Sequence, residues 1–375
     1  MARYGKIFLN KIACLLFCGA RLSKVIISIR GPKMIDAELN HRLIYENIKQ
    51  SLSFSEDRDY ESWRGEVKKK FIELLGISEI EKNACPIEIK IEFEKKCDGY
   101  RHISFSFESE VGEVVPCHLL IPDTGLERYP LCITLQGHST GVHLSLGEAK
   151  FQRDYDGLPR VAFALQSVRE GYATLAIEQR GMGEKRSALS YGETREFKAR
   201  PQMCVTHAMV AISLGRTMIG ERIWDISRAI DALSAFPECI TENIVITGNS
   251  GGGTASFYAA CYDERISLSV PSCAFSPFRT SIFPIEHCAC NYIPLVYKYF
   301  DMQDLACLIA PRKLHIVAGA LDDIFPIEGV REGFEVVKRI YRAAGCEQNC
   351  RLVETPMGHW WCDDIVWQTV REAKG

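Results

Sequence analysis

This 375-residue sequence has no excess of charge of either sign: 45 lysines and arginines stand against 48 aspartates and glutamates, for a net charge of -3. That balance excludes the basic footprint of a nucleic-acid binder. It has no apolar run long enough to cross a bilayer, since the patch from Ile12 to Ala20 is too short, and no membrane partner is expected. Internal repeats and low-complexity segments are also missing, which excludes solenoids and linker-like chains. The sixteen cysteines are numerous but scattered (Cys85, Cys117, Cys132, Cys204, Cys239, Cys261), and several sit within apolar runs. They read as small buried hydrophobes in a reducing cytosol rather than as a disulfide framework.

What is present is ordinary globular composition, 47% hydrophobic and 25% charged, with length enough for one large domain and an extension. Residues 1–33 are basic and carry two short apolar patches. They read as an upstream mis-start before Met34, or as a weak signal segment with its apolar region at Ile12 to Ala20. The expected location is cytoplasmic under the first reading and secreted under the second. Residues 34–86 form a small N-terminal helical extension, because Leu39, Leu43, Ile44 and Ile48, then Phe71, Ile72, Leu74 and Leu75, recur at helical spacing. Residues 87–375 form the main domain.

That domain opens with alternating segments at 87–94, 101–108 and 113–122, separated by polar turns, which predict an antiparallel meander. After Pro130 the pattern changes to apolar strands at 131–136, 173–178, 244–249, 266–270 and 314–319, with helical stretches between them such as 204–236 and 327–344. Apolar strands alternating with amphipathic helices predict an α/β fold, a mainly parallel central sheet with helices on both faces. The proline- and aromatic-rich segment from Ser276 to Asp304 breaks the rhythm and reads as an insertion roofing a pocket, with 139–159 on the same rim.

The run Ile244-Val245-Ile246-Thr247 leads into "GNSGGG". A hydroxyl is a weak nucleophile at neutral pH, so a hydrolytic serine needs a base beside it and must stand clear of its strand. A sharp strand-to-helix turn does this, and it leaves room only for small residues two positions before and after. Gly248 and Gly252 meet that demand around Ser250, and the backbone N–H of Gly251 then lies at a helix N-terminus, where it can hold an oxyanion. The alternative is a glycine-rich turn whose serine only caps the helix. An acid and a histidine should follow, each after a later strand. "GALDDIFP" supplies Asp322, preferred over Asp323, and "TPMGHWW" supplies His359. The second oxyanion donor is expected from the backbone N–H of His138, in "LQGHSTG" after strand 131–136.

In their order, "LQGHSTG", "EQRGMGE" (178–184), "GNSGGG", "GALDDIFP" and "GHWW" resemble the α/β-hydrolase superfamily, and within it the acetyl xylan esterase and cephalosporin-C deacetylase-like group. The resemblance spans about residues 36–375. It implies an α/β-hydrolase fold and removal of small acyl groups, chiefly acetyl, from sugar hydroxyls, with no metal or organic cofactor. The "RGMG" element is similar to that group's RGQG, which gives Arg180 a structural role bracing the catalytic loops. Ser250-Gly251-Gly252-Gly253 and Leu135-Gln136-Gly137-His138 depart from the group's usual nucleophile and oxyanion sequences. A peptidase, a dienelactone-type hydrolase or a catalytically silent binding protein of the same fold therefore stays open, as does self-association.

Three further segments compete with that site. "HCACN" offers His287, Cys288 and Cys290 as metal ligands, but zinc needs a fourth group and usually a C-x2-4-C spacing, and Cys346 and Cys350 are distant in sequence. No metal is expected there. "GERIWDISRAIDAL" (220–233), with Glu221, Arg222, Asp225, Arg228 and Asp231, reads as an ion-pair helix packed on the sheet. Trp360 and Trp361 either stack on a sugar ring or pack into the interior.

Overall fold

The computed structural model describes residues 12–15, 24–27, 37–185 and 204–374. The mis-start and signal readings of residues 1–33 fall largely outside them. Two compact units are present, Met1–Ile48 and Lys49–Gly375. In the first, β1 (Ile12–Leu15) and β2 (Lys24–Ile27) pair antiparallel and α1 (Leu39–Asn47) follows.

The second unit opens with α2 (Tyr60–Leu75) and α3 (Ile77–Glu81). The Asp59 side chain caps α2 by accepting the Ser62 N–H, and Gly76 ends it at φ 72, a left-handed conformation that glycine adopts without strain. Trp63, Val67, Phe71 and Leu75, four residues apart, form one buried stripe. These helices, read from sequence as part of an extension, therefore pack into the body's own core.

The nine-stranded sheet contains β3 (Lys90–Cys97), β4 (Tyr100–Glu110), β5 (Glu113–Pro122), β6 (Tyr129–Leu135), β7 (Ala173–Ile177), β8 (Cys239–Asn249), β9 (Ile266–Ser272), β10 (Lys313–Gly319) and β11 (Cys350–Thr355). Its order is β11-β10-β9-β8-β6-β7-β5-β4-β3. The run from β11 to β7 is parallel, and β5, β4 and β3 add the expected antiparallel meander. Side chains alternate between faces. Ile244 and Ile246 enter the larger core, against α6 (Met218–Ala232), α7 (Gly251–Tyr262) and α8 (Ile327–Ala343), while Val245 joins Trp361 and α9 (Asp363–Lys374) on the opposite face. A third cluster seats α4 (Phe163–Arg169) over Leu120 and Ala176.

The helical stretch expected over 204–236 is divided. Gly215, at φ 74, separates α5 (Val205–Ser213) from α6, whose N-cap Thr217 accepts the Gly220 N–H. No helix among the described residues is long and apolar enough to cross a membrane.

Candidate active site

Ser250 sits between the end of β8 and the start of α7 at φ 54, ψ -124, a left-handed conformation that a residue bearing a Cβ adopts only under constraint. The constraint is visible in the packing around it. Its N–H donates to the Ser272 carbonyl at 2.9 Å, and its own carbonyl accepts the Thr254 N–H at 2.8 Å to start the helix. A Cβ on Gly248 would stand 2.5 Å from the Leu135 oxygen, and one on Gly252 would overlap that same oxygen. The two glycines that frame the serine are thus required by backbone crowding, as the sequence argument anticipated.

The loop after β6 passes directly over this turn. A Cβ on Gly137 would lie 3.2 Å from the Ser250 Cβ, and one on Gly251 would lie 2.8 Å from the His138 ring. The imidazole of His138 therefore rests on the Gly251 backbone, where the first turn of α7 has no carbonyl of its own to offer the N–H. The Gly251 N–H follows the serine directly, and Gly137, one residue before His138, packs against the Ser250 side chain.

The acid and the histidine meet at the same C-terminal edge of the sheet, after β10 and β11, two and three strands from β8. Nδ1 of His359 lies 2.9 Å from Oδ2 of Asp322, whose side chain is wholly buried. The other oxygen, Oδ1, accepts the N–H groups of Ile324 at 2.8 Å and Phe325 at 2.9 Å. Burial pushes the Asp322 carboxyl up, but the bonds from His359, Phe325 and Ile324 outweigh it and hold the group below its ordinary range. Asp323 is exposed, so Asp322 is the acid facing the histidine. The two loops are joined because the Leu321 N–H donates to the Met357 carbonyl at 2.9 Å. The Phe325 ring stacks on that of His359 with centroids 5.9 Å apart.

Sequence comparison agrees with this architecture. The pattern of the Abhydrolase family matches residues 36–357. The chain belongs to that family. YtaP of Bacillus subtilis (strain 168), named a hydrolase, is 27% identical over 245 residues, 64% of this chain and 77% of that one. A 4-O-methyl-glucuronoyl methylesterase from Cerrena unicolor is 31% identical over 103 residues, 27% of this chain and 20% of that one. Among solved structures, an acetyl xylan esterase-type protein from Bacteroides fragilis superposes with a TM-score of 0.74 at 16% identity, covering 91% of this chain and 95% of that one. A glucuronoyl esterase from Solibacter usitatus gives 0.60 at 14%, covering 88% and 98%. These likenesses establish an α/β-hydrolase fold.

Within this Abhydrolase chain, Arg180 anchors a buried ion-pair network between β4, β5 and α6. Its guanidinium is buried and donates to Asp225 at 2.7 and 2.8 Å and to Glu110 at 2.7 Å. Burial opposes the charge, but Asp225, Glu113 and Glu221 overcome that and hold it firmly protonated. Helix α6 is the ion-pair helix read from its sequence, with one difference. The buried Arg222 makes no ion pair among the described residues; it donates to the Arg180 carbonyl at 2.8 and 3.1 Å and to the sulfurs of Cys204 at 3.2 Å and Cys290 at 3.5 Å.

The tryptophans divide. Trp361 is 1% exposed and packs on Phe163 with its Nε1–H on Gln166, so it belongs to the interior. Trp360 is 46% exposed, with the Arg160 guanidinium 3.9 Å over its ring.

Two groups near the site escaped the sequence reading. Glu178, in "EQRGMGE", accepts the Gln136 side chain at 2.9 Å and the Val142 N–H at 3.0 Å, tying that loop to the one carrying His138. Burial pushes its carboxyl up to about 7. Cys273, at φ 48, has its Sγ 3.4 Å from the Trp360 carbonyl and lies with Asp322 and His359 in one cluster. Burial, then the Asp322 charge, push its thiol up to about 12, so it remains protonated and braces the histidine loop. Neither has a sequence signal beyond its neighbours, because both depend on loops far apart in the chain.

Proposed function

We propose that this chain is a serine carboxylic ester hydrolase that removes small acyl groups, acetyl first, from the hydroxyls of a sugar. The observation that carries the reading is the hydrogen bond from His359 to the buried Asp322 on the same sheet edge as the strained Ser250 turn. Ser250 Oγ attacks the ester carbonyl while His359 Nε2 takes its proton, and Asp322 holds the imidazole in the required tautomer. The carbonyl oxygen becomes an oxyanion against the N–H groups of Gly251 and His138. Collapse of the tetrahedral intermediate breaks the C–O bond, and the sugar leaves with the proton from His359. Water, with His359 again as base, then attacks the acyl-serine, releases the carboxylate and restores Ser250. These steps call on no cofactor.

Similarity to sugar esterases supports the substrate class, and the exposed Trp360 under Arg160 offers a platform for a sugar ring. The match to a glucuronoyl methylesterase favours a second reading, in which the sugar supplies the acid and methanol is the leaving alcohol. The compartment we read as cytoplasmic, since no cysteine from Cys85 to Cys362 is in a disulfide.

The test is hydrolysis of p-nitrophenyl acetate by the chain and by Ser250→Ala. Turnover that falls by about 10^4- to 10^6-fold in the variant supports the nucleophile; equal, feeble rates in both overturn it. Acetylated xylo-oligosaccharides against a methyl glucuronate ester then separate the two substrate readings.

A further inference from the structure

We propose that His138, Cys204, Cys288 and Cys290 bind a structural divalent zinc ion that locks the loop over Ser250. Along the sequence, His287, Cys288 and Cys290 lack a fourth ligand. The fold supplies two ligands from elsewhere, Cys204 at the start of α5 and His138 from the loop after β6, and it turns His287 away onto Ser281 and Asn291. One ligand atom from each of His138, Cys204, Cys288 and Cys290 lies within 4.8 Å of all the others. Tetrahedral zinc with Zn–S near 2.3 Å places sulfur ligands about 3.8 Å apart, which this cluster accommodates with small adjustments. Three sulfurs and one imidazole form a donor set that suits a closed zinc site with no open position.

Charge supplies an independent argument. Arg222 is 1% exposed and has no carboxylate partner among the described residues, yet a buried guanidinium needs an anion. Its N–H groups point at Cys204 and Cys290, so the sulfurs are the anions available to it. Three thiolates around one zinc ion carry a net charge of minus one, which Arg222 neutralises. Donation of N–H to coordinated sulfur is also how an outer shell fixes metal ligands. Binding would release the thiol protons, leaving the zinc(II) oxidation state unchanged.

The position of the site gives it a consequence. Nε2 of His138 faces Cys290 at 3.1 Å, while the other side of the same ring rests on Gly251. Cys204 touches the loop after β7, with its Sγ 3.5 Å from the Gly181 carbonyl. A metal here ties the oxyanion loop, the "RGMG" loop and the Cys288–Cys290 segment into one unit. That effect on turnover rests on the esterase reading; metal binding does not.

The experiment is elemental analysis of the full chain purified without chelators, together with Cys204→Ser, Cys290→Ser and the distant control Cys97→Ser. Expected are about one zinc per chain in the parent and in Cys97→Ser, and loss of it in the other two. Because those two could fail to fold, the reduced, metal-stripped parent is also titrated with cobalt(II). Thiolate-to-cobalt charge-transfer bands with the intense visible bands of a tetrahedral site support the proposal. A parent that carries no zinc and gives no such bands overturns it, as does full zinc retention in folded Cys204→Ser and Cys290→Ser. Ser250→Ala should keep its zinc, so loss of esterase activity and loss of the metal are read separately.

Discussion

Asp322 directs its two carboxylate oxygens to different tasks: Oδ2 meets His359 Nδ1 at 2.9 Å, while Oδ1 is held by the N–H groups of Ile324 and Phe325. The acid is fixed by its own loop before it orients the histidine. Asp322→Asn keeps the shape but presents an N–H or a neutral oxygen to the imidazole, favouring the wrong tautomer. Turnover of p-nitrophenyl acetate should fall by about 10^4-fold with KM little changed. The depressed carboxyl stabilises the native state above its unfolded value near 3.8, and that contribution is lost as pH falls through the lower folded value. The parent should therefore lose more stability than the variant on acidification below about pH 4. Thermal melts across that range check this.

The glycine turn makes a steric prediction. Gly252→Ala drives a methyl into the Leu135 carbonyl, which is backbone and cannot swing aside. A loss of at least about 1–3 kcal/mol is expected from overpacking, together with loss of turnover as Ser250 shifts. Gly345→Ala is the comparison: no atom stands in a methyl's way there, although its φ of 72 still adds strain. Urea denaturation of both variants distinguishes crowding from backbone conformation.

How much of this was legible follows from these residues. The demand for glycine at 248 and 252 is local, so it is written in adjacent letters, and the order Ser250, Asp322, His359 follows from strands that alternate along the chain. The choice of Asp322 over its neighbour is sharpened by burial. Cys204, His138 and Cys290 were invisible as a group because they come from three loops separated by 66 and 86 residues.

The two tryptophans should separate binding from stability. Trp360→Ala should raise KM for a sugar ester while leaving p-nitrophenyl acetate turnover nearly unchanged, because the small aryl ester carries no sugar ring to stack on the exposed indole. Trp361→Ala should destabilise by about 3–5 kcal/mol through the cavity it leaves. Steady-state kinetics and melts, run on both, check the division.

A pH effect is expected far from the site. Asp301 is buried and its carboxyl is pushed up to about 7 by desolvation, although its Oδ1 accepts the N–H groups of Phe278 and Met302. The native state then keeps a proton that the unfolded chain has released, so this residue's contribution to stability falls as pH rises from about 4 to about 7. Asp301→Asn keeps the accepting oxygen without the charge. It should raise the Tm at pH 8 and flatten its pH dependence between those values; a Tm lower than the parent's at pH 8 would count against the assignment.

The sequence by itself determined the α/β architecture and the glycine-framed Ser250 turn, because strand periodicity and backbone crowding act over a few residues. Only the tertiary structure decided that Trp361 is core, that Arg222 is buried without a carboxylate, and that one histidine and three cysteines share a site. Those outcomes depend on which loops the parallel sheet delivers to the same edge. Sequence spacing cannot express such an arrangement, because the four side chains become neighbours only when the sheet has assembled and brought their loops together.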